Sequence, residues 1–461
     1  MKDKIRTGNW FKIFFFMLGI LYLFVLPPFT APDEAGHFAT AYHYANVLCR
    51  GADPVVESTA GNVYRQIAMR EQDAVLYEQL SACGEKVSYS VLTAFLKEAP
   101  LFAIENELSA QCLCRTMPYI FPLYIPTVAA VLICRFMGIG SVIMVYFARF
   151  LTFLTAWYIS CKAIERIPAG KKLFQVIVLF PMALHLFSSC SADAIANAAA
   201  VYGSAVILDY RQNPVKLRLT DGMTLAVALT VVTLSKPFYI LFFVMGFLMP
   251  LESFGKKGYY YLFCILPLIC WVWKYFPIIF SCFSEGDVSA YADLSQGYAI
   301  GYILGHPAQT VRLLVHSIWK ELPYICAQSI GLYLGPLTFR IPSAAVAVFA
   351  GLLLSAVLCD GEQVFSGKLR LAVMFLFAFT YVCCYCMDLL WWTPFGADTI
   401  EGVQGRYLLP LLGMLCVALK PVGQIKWKCL EIQSHVILGT AVLTHIAVLL
   451  AVFDRLVCWS E

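Results

Sequence analysis

The sequence predicts an all-α integral membrane protein with about eleven transmembrane helices, built as one polytopic domain over residues 1–461. Three observations carry this. Apolar residues make up 60% of the chain and charged residues only 13%, with a mean hydropathy of +0.74. Apolar runs of roughly 17–25 residues, each long enough to cross the hydrocarbon core, recur along it. Lysine and arginine gather in alternate loops, as the positive-inside rule requires. No soluble domain of this size needs so much apolar residue, and no nucleic-acid partner is expected. The net charge of +4 says little as a total; its distribution says more.

Lys2, Lys4, Arg6 and Lys12 precede or open the first run, Trp10–Leu26, so the N-terminus is expected in the cytoplasm. That run is long and ends in two prolines instead of a small-residue cleavage site, which makes it a retained span. Residues 28–140 then form a long outer loop, with surface-lying helices near Asp33–Cys49 and Val63–Leu80. Met117–Met137 is apolar but carries Pro118, Pro122 and Pro126, and is read as a juxtamembrane or re-entrant segment that does not cross. Spans follow at Ser141–Cys161, Leu173–Cys190, Ala194–Leu208 and Thr220–Leu234. A sixth begins after Lys236 and Pro237, and a seventh covers Tyr259–Phe276. Residues 281–340 make a second outer segment. Four more spans complete the chain: Ala344–Leu358, one ending at Trp391 and Trp392, one after the loop TPFGADTIEGVQGRY, and His435–Phe453. The C-terminus is then outside. This threading puts more than half of the 33 lysines and arginines into short cytoplasmic stretches, whereas letting Met117–Met137 cross would move most of them outside.

The threading brings several chemistry-bearing residues to one face. The stretch PPFTAPDEAGHFATAYHY sets Asp33 and Glu34 where the chain leaves the bilayer, with His37 four residues after Asp33 on the same helix face. Thr30, Pro32 and Asp33 also suit the start of a helix, so Asp33 has a capping reading and a catalytic one, and the two are compatible. Asp193, in SCSADAIAN, has the same pair of readings. Acids at the membrane edge are expensive to hold and are functional candidates by default. Asp33 and Asp193 are therefore expected to share base and electrostatic work or to hold a divalent cation, Mg or Mn. Arg406 follows Gly402 and Gly405 at the same face; its guanidinium suits a phosphate, or else a snorkelling anchor. Lys236 before Pro237 has the same alternatives. Arg149 lies well inside an apolar span and needs a partner within the bundle, an acid or a lipid phosphate.

Most of the 18 cysteines sit in apolar runs as small packing residues. Cys49, Cys83, Cys112 and Cys114 share the polar first loop, where a disulfide is open if that loop is extracytoplasmic. No nucleotide-binding glycine loop, G-x-S-x-G or H-E-x-x-H occurs.

The segments PPFTAPDEAGHF, SSCSADAIAN, SKPFY and GVQGRYLLPLL together resemble a bacterial membrane-protein family catalogued as domain of unknown function 2142, over nearly the whole chain. That family resembles a branch of the GT-C superfamily of integral-membrane glycosyltransferases. The resemblance implies a GT-C-like fold with juxtamembrane helices in the first outer loop, and an acid in each of the first two outer loops. Asp33, with Glu34, and Asp193 match those positions. No D-x-D pattern surrounds Asp193, a departure that bears on metal use. The expectation is an enzyme of the bacterial plasma membrane. It would move a sugar from a polyprenyl-phosphate donor to a surface glycan, lipid or protein acceptor on the outer face. Asp33, Glu34 and Asp193 would be catalytic, and His37, Lys236, Arg406 and Arg149 would bind substrate. The alternatives are a flippase or transporter for a lipid-linked or anionic solute, with Arg149 lining its path, or a non-catalytic subunit of a polysaccharide export system.

Overall fold

The computed structural model describes residues 2–59, 62–83, 89–98, 102, 106–254, 257–284, 298, 300–360, 363–422 and 433–458. Lys256, Lys426, Lys428 and residues 285–297 of the expected second outer segment lie outside the described residues. The first helix, α1 (Lys2–Val25), covers the expected first span except its last residue, Leu26. After a short turn comes α2 (Glu34–Cys49), most of whose residues are buried. The loop beyond it is not all helical. The expected helix over Val63–Leu80 is instead a strand followed by α3 (Glu71–Cys83). Three antiparallel strands, β1 (Val55–Thr59), β2 (Asn62–Met69) and β3 (Ala110–Thr116), pair in that order. In β3 the period-2 pattern is plain: Cys112, Cys114 and Thr116 are buried while Gln111 and Leu113 are exposed. Arg115 therefore leaves the strand on the face opposite Cys114. A short helix, α4 (Tyr89–Glu98), lies between β2 and β3 in sequence.

The sheet is fastened to α2 by polar contacts. Asn46 donates to the Asp53 carboxylate at 3.0 Å and to the Ala68 carbonyl at 2.9 Å, and His43 Nδ1 lies 2.8 Å from Asp53. Tyr42 donates to Asp73 at 2.9 Å, and Asp73 is held in turn by Arg70.

Residues Met117–Met137 contain a single turn of 3-10 helix, Phe121–Tyr124, and then α5 (Ile125–Phe136). The 12 residues of α5 reach about 18 Å, well short of a hydrocarbon core of about 30 Å. The longest early helix is α6 (Ser141–Arg166). The expected third span, Leu173–Cys190, is broken into α7 (Lys171–Val178) and α8 (Pro181–Phe187). Pro181 lacks the N–H that would continue the helix, and α8 then meets α9 (Ala192–Gln212) at a bend of 117°. Then come α10 (Leu219–Thr233) and, directly after Lys236, a 3-10 helix over Pro237–Leu248. Next are α11 (Lys257–Ser284), α12 (Ile300–Gly305) and α13 (Pro307–Ile330). A two-stranded ribbon, β4 (Tyr333–Leu334) with β5 (Phe339–Arg340), leads to α14 (Ser343–Cys359) and α15 (Gly367–Trp391). The chain closes with α16 (Leu409–Leu419) and α17 (Ser434–Cys458).

The protein is thus mainly helical and apolar; among the described residues a large buried core runs from Phe11 to Leu456, with a small second cluster of Leu234, Trp271 and Tyr275. Among the described residues α6, α15 and α17 are long and apolar enough to cross a membrane singly, and α8 with α9 form a bent pair. Seven further apolar helices are shorter. Connectivity sorts the ends of the bundle. The C-terminal end of α1, the start of α9, the end of α10 and the start of α16 lie at one end. Arg166, with Asp209 at 2.9 Å and Asp221 at 2.7 Å, closes the opposite end.

Candidate functional site

Glu34 and Arg149 set the frame. Both side chains are fully buried, and Arg149 Nε donates to Glu34 Oε1 at 2.8 Å. The remaining guanidinium N–H groups reach the Leu23, Leu26 and Pro27 carbonyls and Glu34 Oε2. Glu34 also accepts the N–H groups of Cys190 at 3.0 Å and Ala31 at 3.2 Å. One ion pair therefore ties the end of α1, the start of α2, the middle of α6 and the turn before α9. It is saturated, so neither partner has a group left for substrate. This is the acid that the buried arginine required.

Helix α2 starts at Glu34, later than its sequence suggests. Thr30 donates to the Pro27 carbonyl at 2.6 Å and caps nothing. Asp33 occupies the cap position in a left-handed conformation, φ 60°, which Asp tolerates better than most residues. Its carboxylate makes no capping bond. It is turned instead onto two guanidinium groups, Arg406 Nη2 at 2.6 Å and Arg115. Burial alone would raise the Asp33 pKa, yet Arg406 and then Arg115 outweigh it and hold the carboxyl well below the usual carboxylate range.

Asp193 likewise leaves the capping to a neighbour. Ser191 is the cap of α9, its hydroxyl accepting the Asp193 N–H at 3.2 Å. The Asp193 carboxylate faces Arg406 Nη1 at 3.3 Å, Lys236 Nζ at 3.6 Å and the Tyr119 hydroxyl at 3.1 Å. Asp33 and Asp193, far apart in sequence, thus sit on the two terminal nitrogens of one guanidinium.

The GVQGRY loop places that guanidinium. Gly402 has φ +98°, which L side chains rarely adopt. Gly405 is pressed against α13: a Cβ there would lie 2.3 Å from the Ser329 nitrogen and 2.5 Å from the Ile325 carbonyl. Its N–H donates to Gln328 Oε1 at 2.6 Å. Arg406 Nη1 also reaches the Pro32 carbonyl at 3.2 Å, while its buried Nε has no hydrogen-bond partner among the described residues.

Lys236 is buried in an aromatic surround. Its ammonium is 3.9 Å from the Tyr407 ring centroid, 5.6 Å from Tyr119 and 5.9 Å from Phe238. Burial pulls its pKa down to about 8, against the pull of Asp193. His37 faces the same cluster. Its Nδ1 takes the Tyr124 hydroxyl at 2.7 Å and the Ala192 N–H at 3.5 Å, which assigns the proton to Nε2. That Nε2 is buried without a partner among the described residues. Burial lowers the His37 pKa to about 4, so the ring is neutral at pH 7.

The cluster holds Arg115, Arg406 and Lys236 against Asp33 and Asp193, three ion-paired cations to two carboxylates. A divalent cation does not fit it. Both acids already face cations, and no group of three His, Cys, Asp or Glu suited to a metal occurs among the described residues. The unpartnered donors Arg406 Nε and His37 Nε2 suit an anion.

The structure brings together Asp33, Asp193, Arg406, Lys236 and His37, and sets Glu34 and Arg149 apart as a closed pair behind them. Sequence reasoning missed Arg115, Tyr119, Tyr124 and Asp388, a buried carboxyl at the end of α15. Alternation in AQCLCRT was the available signal for Arg115. The cysteines of the first loop, Cys49, Cys83, Cys112 and Cys114, are all free thiols.

These features define a helical membrane protein with a buried, cation-rich cluster at one end of its bundle. Residues 15–415 match a family of predicted membrane proteins, DUF2142, and the chain belongs to that family. No curated protein and no solved structure matches the chain.

Proposed function

We propose that this protein is a GT-C-type glycosyltransferase that takes its sugar from a polyprenyl-phosphate donor. The carrying observation is the guanidinium of Arg406: buried, oriented by two carboxylates, with Nε left over and Lys236 beside it. A phosphate leaving group gains negative charge in the transition state, and pre-set cations stabilise it there without reorganising. Asp33 and Asp193 act in this reading as the arms that aim Arg406 and Lys236. His37 Nε2–H adds a neutral donor. Glu34 and Arg149 hold the frame.

The lipid half of the donor fits a membrane-embedded bundle that carries the Arg406 cluster at one end. Sidedness follows the lysine and arginine bias: N-terminus cytoplasmic, cluster on the outer face of a bacterial plasma membrane, about eleven crossings and the C-terminus outside. Nucleotide sugars are absent there, so a lipid-carried donor is the chemistry available. The acceptor is a surface glycan, lipid or protein. A transporter with Arg149 on its path is disfavoured, because the guanidinium is already saturated by five hydrogen bonds.

The test is turnover. Purified protein in detergent is given polyprenyl-phosphate sugars and scored for release of lipid phosphate. Release by the wild type and its loss in Arg406→Gln, with unchanged expression, supports the reading. No release with any donor removes it.

A further inference from the structure

Transfer of a sugar to a hydroxyl needs a proton acceptor, and the two carboxylates expected for that work are poorly placed to provide it. Asp33 is held by two guanidinium groups and Asp193 by Arg406, Lys236 and the Tyr119 hydroxyl. A carboxylate satisfied by cations has little basicity to offer.

A third carboxyl is free. Asp388 lies in the last turn of α15 and is 6% exposed. Its Oδ2 is buried without a hydrogen-bond partner, and no cation lies within ion-pair distance of it among the described residues. It lies against the loop that carries Arg406. Its position is firm. The Asp388 carbonyl accepts the N–H groups of Trp392 and Thr393, both at 2.9 Å, and the Thr393 hydroxyl at 3.0 Å. Thr393 Oγ1 in turn accepts the Glu401 N–H at 3.1 Å, which ties α15 to the loop that carries Arg406. At Gly402 of that loop a Cβ would lie 3.0 Å from Trp392 Cβ and 3.4 Å from Asp388 Cγ, so the loop packs directly on the end of α15. The backbone of Asp388 does the capping; its side chain does none of the holding. A buried, unpaired polar group is costly unless a ligand completes it.

Building on the transferase reading above, we propose that Asp388 is the base that receives the proton of the acceptor hydroxyl. The acceptor O–H proton passes to Asp388 Oδ2. The acceptor oxygen bonds to the anomeric carbon with the electron pair so released. The bond from that carbon to the phosphate oxygen breaks, and its pair leaves with the phosphate toward Arg406 and Lys236. The proton leaves Asp388 for water when product departs.

The experiment uses full-length protein, polyprenyl-phosphate mannose and glucose as donors, and octyl glycosides as acceptors. Asp388→Asn lowers kcat on the order of 100-fold, the usual worth of a positioned base, while KM for the donor is unchanged. Asp388→Glu, which keeps a carboxyl, retains more rate than Asp388→Asn. Added formate restores rate to Asp388→Ala, a rescue that a purely structural residue would not show. Donor binding at wild-type strength in the variants certifies their fold. Turnover by the wild type with equal rates for the Asn and Glu variants, or no rescue by formate, overturns the assignment of Asp388 alone. Absence of turnover by the wild type overturns the transferase reading itself, and the base with it.

Discussion

Replacing Glu34 by Gln strips the counter-charge from a guanidinium at 0% exposure. The amide keeps the shape of the carboxylate and one acceptor for Arg149 Nε. The three main-chain carbonyls of Leu23, Leu26 and Pro27 still hold the other nitrogens. Losing one partner of a buried pair costs about 3–5 kcal/mol, and the retained contacts put this case near the lower end, about 3 kcal/mol. In a chain of this length about 1 kcal/mol moves Tm by roughly 1–2 °C, so a fall of about 3–6 °C is expected. Tryptophan-fluorescence melting in detergent reads it. Arg149→Met and the double variant complete a cycle. The double variant is less destabilised than the sum of the singles by about 1 kcal/mol or more, because the orphaned charge is gone. Glu34→Gln melting within about 1 °C of the wild type, the range of an ordinary surface change, would refute the frame assigned to this pair.

His37 has its pKa lowered from 6.5 to about 4, so the unfolded chain binds its proton first. Its neutral ring therefore favours the folded state fully above pH 6.5, and that advantage, about 3 kcal/mol, is lost as pH falls from 6.5 to about 4. His37→Gln should flatten acid unfolding in that window; an unchanged profile contradicts it. Lys236, lowered to about 8, must be protonated to hold an anion. Affinity for a polyprenyl phosphate should weaken as pH rises through about 8, and Lys236→Arg should remove the decline. Gly405→Ala drives a Cβ to 2.3 Å from the Ser329 nitrogen. It should cost about 1–3 kcal/mol or more in melting and abolish polyprenyl-phosphate binding by displacing Arg406. Asp33→Asn takes away one of the two carboxylates that aim Arg406 and should weaken polyprenyl-phosphate binding by roughly tenfold; unchanged or tighter binding would mean that Asp33 does not aim Arg406.

Much of the site was legible because it is made of charges placed where apolar runs end. Asp33, Asp193, Lys236 and Arg406 each sit beside a proline, serine or glycine that breaks a helix, and hydropathy marks such points well. The need of Arg149 for an acid was legible too, but not the identity of that acid. Glu34 and Asp33 are adjacent, and only the late start of α2 decides which one turns inward. The sheet was not legible. Residues 62–69 and 110–116 are separated by more than forty positions, and strand pairing over such a gap leaves no local period except alternation. Missing it hid Arg115, and with it the third cation ion-paired to Asp33 and Asp193, which argues against a metal between them. Asp388 was hidden differently. It lies in an apolar helix beside Trp391 and Trp392, where an acid reads as part of the interfacial belt. The break of Leu173–Cys190 at Pro181 shows the limit of hydropathy, which records apolar length and not direction.

The central claim is that Arg406 and Lys236 receive a lipid-borne phosphate. A cryo-EM structure of the protein with a bound polyprenyl phosphate tests it most directly. Density for the phosphate within hydrogen-bond reach of Arg406 Nε and Lys236 Nζ, with its chain running down between helices, is the result expected. A phosphate bound elsewhere, or density for a cation between Asp33 and Asp193, would contradict it.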